Sequence, residues 1–217
     1  MKKKKIITVA IDSPAAAGAG TQAKLIAKHY KLFYLDTGKI YRYIGQLRLA
    51  SKKKISYNLI KNKIKNLKVK ALTNKKLLTN EVALSAAIVA RDKKIRQIVH
   101  KFQQMYAYNP PKKFYGSVLD GRDITSIQLK DAMFKFYITA NIKVRALRRY
   151  EEYKRLKKQI SYLEVLKSIK IRDKSDRTRK YGPLKKTRDS ILINTTKLSK
   201  KACFKKIKAI MDRKLKN

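Results

Sequence analysis

Ile6-Ile-Thr-Val-Ala-Ile-Asp12-Ser-Pro-Ala-Ala-Ala-Gly18-Ala-Gly-Thr21 is the stretch on which the reading of this chain turns. Its first six residues are a short β-branched run, a strand pattern. A loop of small residues follows, and then a helical pattern that puts Leu25, Ile26 and His29 on one face. A strand, a tight loop and a helix start together make a phosphate cradle, because successive backbone N–H groups and the helix N-terminus all point at one spot. The usual form is Gly-x4-Gly-Lys-Ser/Thr, in which the lysine reaches the β/γ-phosphates and the hydroxyl meets Mg2+. In the loop Ser13, Pro14, Ala15, Ala16, Ala17, Gly18, Ala19, Gly20, Thr21, the last two glycines and Thr21 fit that pattern. Ser13 replaces the first glycine and Ala19 the lysine, so the pattern alone also fits a plain strand-to-helix turn.

Working outward, Phe33–Leu35, Ser117–Leu119, Phe134–Ile138 and Ile191–Ile193 read as further short strands. Helical patterns separate them over about 39–50, 81–105, 142–156 and 162–172, and an amphipathic helix over about 199–213 closes the chain. Strands alternating with helices imply a parallel sheet with helices on both faces. The lysine-studded segment 52–78 holds no Gly or Pro and reads equally as helix or as a hairpin insert.

The chain has 217 residues, 57 of them Lys or Arg against 14 Asp or Glu, for a formal charge of +43. The length fits one domain, and 44% hydrophobic residues in periodic runs are enough to bury a core. One cysteine, Cys203, excludes an internal disulfide, and two histidines, His29 and His100, leave little for a His-built zinc site or a Ser-His-Asp triad. The charge has two readings. It suits a nucleic acid or another polyanion, and it also suits an enzyme merely coated with solvated lysines from an A+T-rich genome. Met1–Lys5 followed by Ile6–Ile11 imitates a signal peptide, but Asp12 cuts the apolar run too soon. With no segment near the roughly 18 apolar residues of a membrane helix, the chain reads as soluble, cytoplasmic and monomeric.

Three further stretches carry a resemblance. Leu35-Asp-Thr-Gly-Lys-Ile-Tyr-Arg42 follows the second strand, Asp120-Gly-Arg-Asp123 the third, and Arg172-Asp-Lys-Ser-Asp-Arg-Thr-Arg179 comes later, before Gly182-Pro-Leu184. Together and in this order they resemble bacterial cytidylate (CMP/dCMP) kinases, of the nucleoside-monophosphate kinase family. The resemblance spans about Ile6 to Leu198 and is weakest over 52–80. It implies an α/β P-loop kinase fold with a five-stranded parallel core sheet flanked by helices. It further implies a core of 1–36, 84–146 and 183–217, an acceptor-binding insert at about 37–83 and a lid at about 147–182.

The residue distribution suits phosphoryl transfer, which needs positioning and charge neutralisation more than covalent chemistry. Lysine outnumbers arginine threefold, yet Arg42, Arg96, Arg122, Arg148, Arg149, Arg172, Arg177 and Arg179 lie in or beside these motifs. Arginine's planar fork is the better phosphate clamp. The resemblance implies that Arg42, Arg122 and Arg179 hold the CMP phosphate, and that Asp123 and Arg96 read the cytosine edge. It implies ribose binding by Asp176, a place against the acceptor for Thr37, and lid arginines Arg148, Arg149 and Arg172 closing on ATP. It also implies ATP on loop 13–21 with Mg2+ at Thr21.

Plainer roles stand beside these. Asp36 and Asp120 read as turn braces, Asp173 with Arg177 as a helix ion pair, Arg145 as a solvated helix face, and Tyr34 and Tyr41 as core. Both histidines read as ordinary helix residues, with His100 at most beside the substrate-side helix. Two departures from the family pattern stand out. A base-binding serine about nine residues before Arg96 is here Ala87, with only Ser85 nearby, and the loop lysine is Ala19. Another cation, such as Lys24 one turn into the helix or a lid arginine, would have to take over; otherwise the chain is a slow kinase, an inactive nucleotide binder or a basic nucleic-acid binder.

Overall fold

β1 (Ile7–Asp12) alternates between two apolar environments. Ala10 faces one cluster, while Val9 and Ile11 face another. A strand buried on both faces belongs in the middle of a parallel sheet, and β1 sits there in the computed structural model, which describes residues 6–52, 54–157 and 159–216. The basic Met1–Lys5 start of the signal-like stretch lies outside the described residues.

Five strands, β1, β2 (Phe33–Asp36), β3 (Gly116–Gly121), β4 (Phe134–Thr139) and β5 (Ile191–Asn194), form one sheet in the order β2-β3-β1-β4-β5 with every pairing parallel. On one face α2 (Thr37–Ala50), α4 (Asn80–Val89) and α5 (Lys93–Tyr108) cover Ala10, Leu35 and Leu119. On the other, α1 (Ala19–His29) and α8 (Lys200–Lys216) cover Val9, Ile11, Val118, Phe136 and Ile193. Helices α6 (Ile142–Arg155) and α7 (Tyr162–Thr178) pack on each other through a third, small cluster around Ala146, Val165 and Ile169. No helix among the described residues is long and apolar enough to cross a membrane.

Register brings the functional motifs together. Asp12 is level with Gly121 on one side and Tyr137 on the other, and Asp36 is level with Asp120. The loop after β1 therefore opens where neighbouring strands leave in opposite directions along the sheet, the place where open α/β sheets bind ligands.

Four local expectations change. The helix expected over 81–105 is two helices, because Asp92 caps α5 by accepting from Ile95 N at 2.9 Å. Segment 52–78 contains α3 (Tyr57–Lys65), whose Ile60 and Ile64 turn inward, and two 3-10 turns at Val69–Thr73 and Lys75–Leu78; it is not a hairpin. α7 runs on to Thr178, which carries the Arg172–Arg179 motif onto a helix. On α1, Ile26 is buried but His29 is exposed, edge-on to Phe204.

Candidate active site

The loop after β1 is held by atoms far along the chain. Gly18, at φ +92°, is the N-cap of α1 and makes the left-handed turn that an L side chain resists. Ala15 N donates to Asp173 Oδ1 at 3.2 Å, and Ala15 O accepts from Arg145 Nη1 at 2.9 Å. Arg145 and Asp173 are themselves paired at 2.7 Å, both buried. Arg145 is therefore not a solvated residue, and the partner of Asp173 is Arg145 rather than Arg177. Ala17 O accepts from Thr195 Oγ1, and Arg148 donates to Thr195 through both Nη atoms, at 2.9 and 2.7 Å. Arg148 thus braces the loop after β5 and stands apart from the other arginines expected in a lid.

Those arginines converge elsewhere. Asp176, on α7, accepts from Arg122 Nε at 2.7 Å, Arg172 Nε at 3.2 Å and Arg179 Nη1 at 3.5 Å. Burial raises its carboxyl, but Arg122, Arg172 and Arg179 outweigh that and hold it below the usual range. Asp176 thus organises three guanidinium groups, two of them through Oδ2, and its Oδ1 accepts only from Arg179 among the described residues. Arg42 donates to Leu77 O at 2.8 Å, and its pKa is lowered by burial and by the charges of Arg172 and Arg149. Like charges this close are unfavourable by themselves and are suited to an anion between them. Arg149 pairs with Glu152 at 3.0 Å. Arg177 has no ion pair among the described residues; its charge acts on Tyr137, level with Asp12.

The base-reading pair predicted from the sequence is in contact. Arg96 and Asp123 form a buried ion pair, and Arg96 also donates to Ala90 O. Burial pushes the Asp123 carboxyl up, but His100, Arg96 and Arg179 bring it below the ordinary carboxylate range. Gly182, at φ +61°, closes one side of the pair: a Cβ there would lie 2.6 Å from Asp123 Oδ2. Asp12 supports the neighbouring turn, accepting from Ile124 N, Thr125 N and Thr125 Oγ1 at 2.6 to 2.8 Å. Its burial raises the carboxyl to about 6 against these hydrogen bonds.

Thr37 is buried and its hydroxyl is committed to Asp120 O at 2.7 Å. Asp36 makes no capping bond to α2, while the Asp120 carboxylate accepts from the Tyr34 hydroxyl and keeps a buried Oδ1 without a partner. Asp120 is raised by burial and by the charge of Asp36, and its Oδ2 lies 3.3 Å from where a Cβ on Gly20 would be. Two acids with an orphaned oxygen beside the first turn of α1, which exposes Thr21, are a donor set suited to Mg2+.

Comparison with known proteins decides the family. The family model "Cytidylate kinase" matches residues 9–213. The chain belongs to the cytidylate kinase family. It is 38% identical to the "Cytidylate kinase" of Bartonella henselae, over 96% of this chain and 95% of that protein. It is 40% identical to that of Bartonella tribocorum over 92% of each, and 36% identical to that of Thermosipho melanesiensis over 96% of this chain and 98% of that one. An uncharacterized protein of Eubacterium ventriosum shares the fold, with a TM-score of 0.57 at 18% identity over 95% of this chain and 98% of that one.

In this cytidylate kinase family member, Ala19 stands at the lysine position of the Gly-x4-Gly-Lys-Ser/Thr loop pattern. Ala19 is only 5% exposed and packs into the α1 core cluster. Lys24 and Thr21, three residues apart, share the exposed stripe of α1. Ser85, nearest to the missing base-binding serine, is buried, donates to Gly45 O at 2.9 Å and so knits α4 to α2. Sequence reading missed the Arg145–Asp173 stitch. Its only signal was a further arginine on the helix carrying Arg148 and Arg149, and spacing does not distinguish a buried arginine from a solvated one.

Proposed function

We propose that this chain transfers the γ-phosphoryl group of ATP to CMP or dCMP, giving ADP and CDP or dCDP. The observation that carries this reading is the convergence of Arg122, Arg172 and Arg179 on Asp176, with Arg42 next to Arg172, between the loop after β1 and the Arg96–Asp123 pair. Loop residues Ser13 to Thr21 cradle the ATP phosphates with their backbone N–H groups. Arg42, Arg122 and Arg179 hold the acceptor phosphate, and Asp123 with Arg96 faces the cytosine edge: the carboxylate accepts from the N4 amino group and the guanidinium donates to O2 and N3. An oxygen of the acceptor phosphate attacks the γ-phosphorus, and the bond to the ADP oxygen breaks. A phosphate monoester with its second pKa near 6 needs no general base at neutral pH.

Arg149 and Arg172 neutralise the transferring group, while Arg148 positions the loop through Thr195. Segments 37–83 and 147–182 act as acceptor-binding and lid subdomains, and closure excludes water. Thr21, with Asp36 and Asp120 behind it, would hold Mg2+, which when bound supplies charge neutralisation at the β- and γ-phosphates. Lys24 on the exposed stripe of α1 and Arg177, whose guanidinium is unpaired among the described residues, supply only part of the charge that the family lysine supplies.

The test is ADP release with ATP and Mg2+ across CMP, dCMP, UMP and AMP. CMP and dCMP should turn over best. Ala19 favours a second reading, a weak or inactive nucleotide binder, and CMP binding without CDP formation would establish it. If a nucleic-acid oligomer binds with a steep salt dependence while CMP neither binds nor competes, the +43 charge, not the site, describes the partner.

A further inference from the structure

Unsatisfied polar atoms are rare in a folded interior, and several of those here surround one carboxylate. Arg96, His100 and Gln128 all approach Asp123 through Oδ2: Arg96 as its ion pair, Gln128 Nε2 at 3.2 Å and His100 Nε2 at 3.7 Å. Asp123 Oδ1 has no hydrogen-bond partner among the described residues. Gln128, on the π-turn Ile124–Gln128, is 2% exposed, and its Oε1 is buried with no partner. Tyr41 Oη, under the Arg96 guanidinium, is likewise buried and unpartnered.

The orientation of the Gln128 amide is fixed by chemistry, because only its NH2 can face a carboxylate. Oε1, on the same planar amide, is then an acceptor held beside Asp123 with nothing to accept from. The exocyclic amino group of cytosine has two hydrogens, while the 4-position of uracil carries an oxygen that accepts.

We propose that Gln128 is a second base-reading residue: its Oε1 accepts one amino hydrogen of cytosine while Asp123 accepts the other, and the same oxygen repels the O4 of uracil. This rests on the cytidylate kinase reading above and adds the residue that sets cytosine over uracil, in a chain where the family serine is Ala87 and Ser85 is committed to Gly45. Asp12 has a positioning role, since its hydrogen bonds to Ile124 and Thr125 hold the first residues of the turn that presents Gln128.

The experiment compares kcat/KM and equilibrium binding for CMP and UMP in the wild type and in Gln128→Met, which keeps length and loses the acceptor. One buried amino hydrogen left unpaired is a loss of about tenfold or more. CMP should therefore weaken by about tenfold while UMP is unchanged or improves, and the KM for ATP should not move. An equal fall for both nucleotides, or an unchanged ratio, overturns the proposal. Should the variant fail to fold, the wild-type protein decides the matter with N4-methyl-CMP. That analogue should bind about tenfold more weakly than CMP, and equal binding refutes a second acceptor. Failure of the kinase reading itself looks different, with the wild type neither binding nor phosphorylating CMP.

Discussion

Ala19 takes the lysine position of the phosphate-loop pattern, and its methyl group is packed in the core beneath the loop. Preorganised cations at a transferring phosphate are usually the largest single contribution to catalysis. Ala19→Lys is expected to raise kcat at saturating ATP and CMP by about tenfold or more. An unchanged or lower kcat would mean that Lys24 or Arg177 already supplies the charge, and Arg177→Met would then lower kcat by a similar factor. At this scale the sequence was informative where a residue type is scarce. Arginines and aspartates stand out in a lysine-rich chain, and four of the eight arginines singled out, Arg96, Arg122, Arg172 and Arg179, do meet at Asp123 and Asp176. Arg148 and Arg149, adjacent on one helix and so about 100° apart, part company: Arg148 donates to Thr195, while the charge of Arg149 acts on Arg42.

At the scale of elements, the loop after β1 is locked to α6 and α7 through Arg145, Asp173 and Ala15. Asp173→Asn leaves a buried guanidinium without its counter-charge, and the expected loss is about 3–5 kcal/mol in urea denaturation. It should also raise the KM for ATP more than that for CMP, since the loop residue it releases lies on the ATP side. A loss below about 1 kcal/mol would mean that the pair is solvated in solution. A smaller effect belongs to the break between α4 and α5. Asp92→Ala removes the cap and the acceptor of the Tyr57 hydroxyl, at about 1–2 kcal/mol, measurable as a lower denaturation midpoint with an unchanged slope. That break was hidden in the sequence because Ala90-Arg-Asp92 continues a helical pattern, and a cap is legible only once the chain direction on either side is known.

On the scale of the whole molecule, the acids are few and several are buried with opposite consequences for stability. The Asp12 carboxyl, about 6 when folded against 3.8 for an ordinary aspartate, contributes stability below pH 3.8 that is lost as pH rises through 6. The difference corresponds to about 3 kcal/mol at neutral pH. Asp120 is shifted in the same direction. Asp123 and Asp176 are held low, so their contribution is present above the unfolded value and disappears as pH falls through the folded one. Unfolding free energy should therefore rise as pH falls from 7.5 to about 5 and drop again in stronger acid. Asp12→Asn should flatten the rise between pH 7.5 and 5, and an unchanged slope would assign it to other groups.

The same scale separates what each kind of information supplied. The strand-loop-helix order, the five strands and the arginine and aspartate motifs were set by local pattern, since strand alternation and residue chemistry need no neighbours to be read. Whether Arg145 is buried, which arginines share Asp176, how Asp120 comes to lie buried beside Asp36 and where Gln128 points were decided only by the tertiary structure. Those depend on contacts between residues as far as 158 positions apart, brought together at the carboxyl ends of parallel strands, where charge, burial and hydrogen bonding depend on the partner and not on the sequence around it.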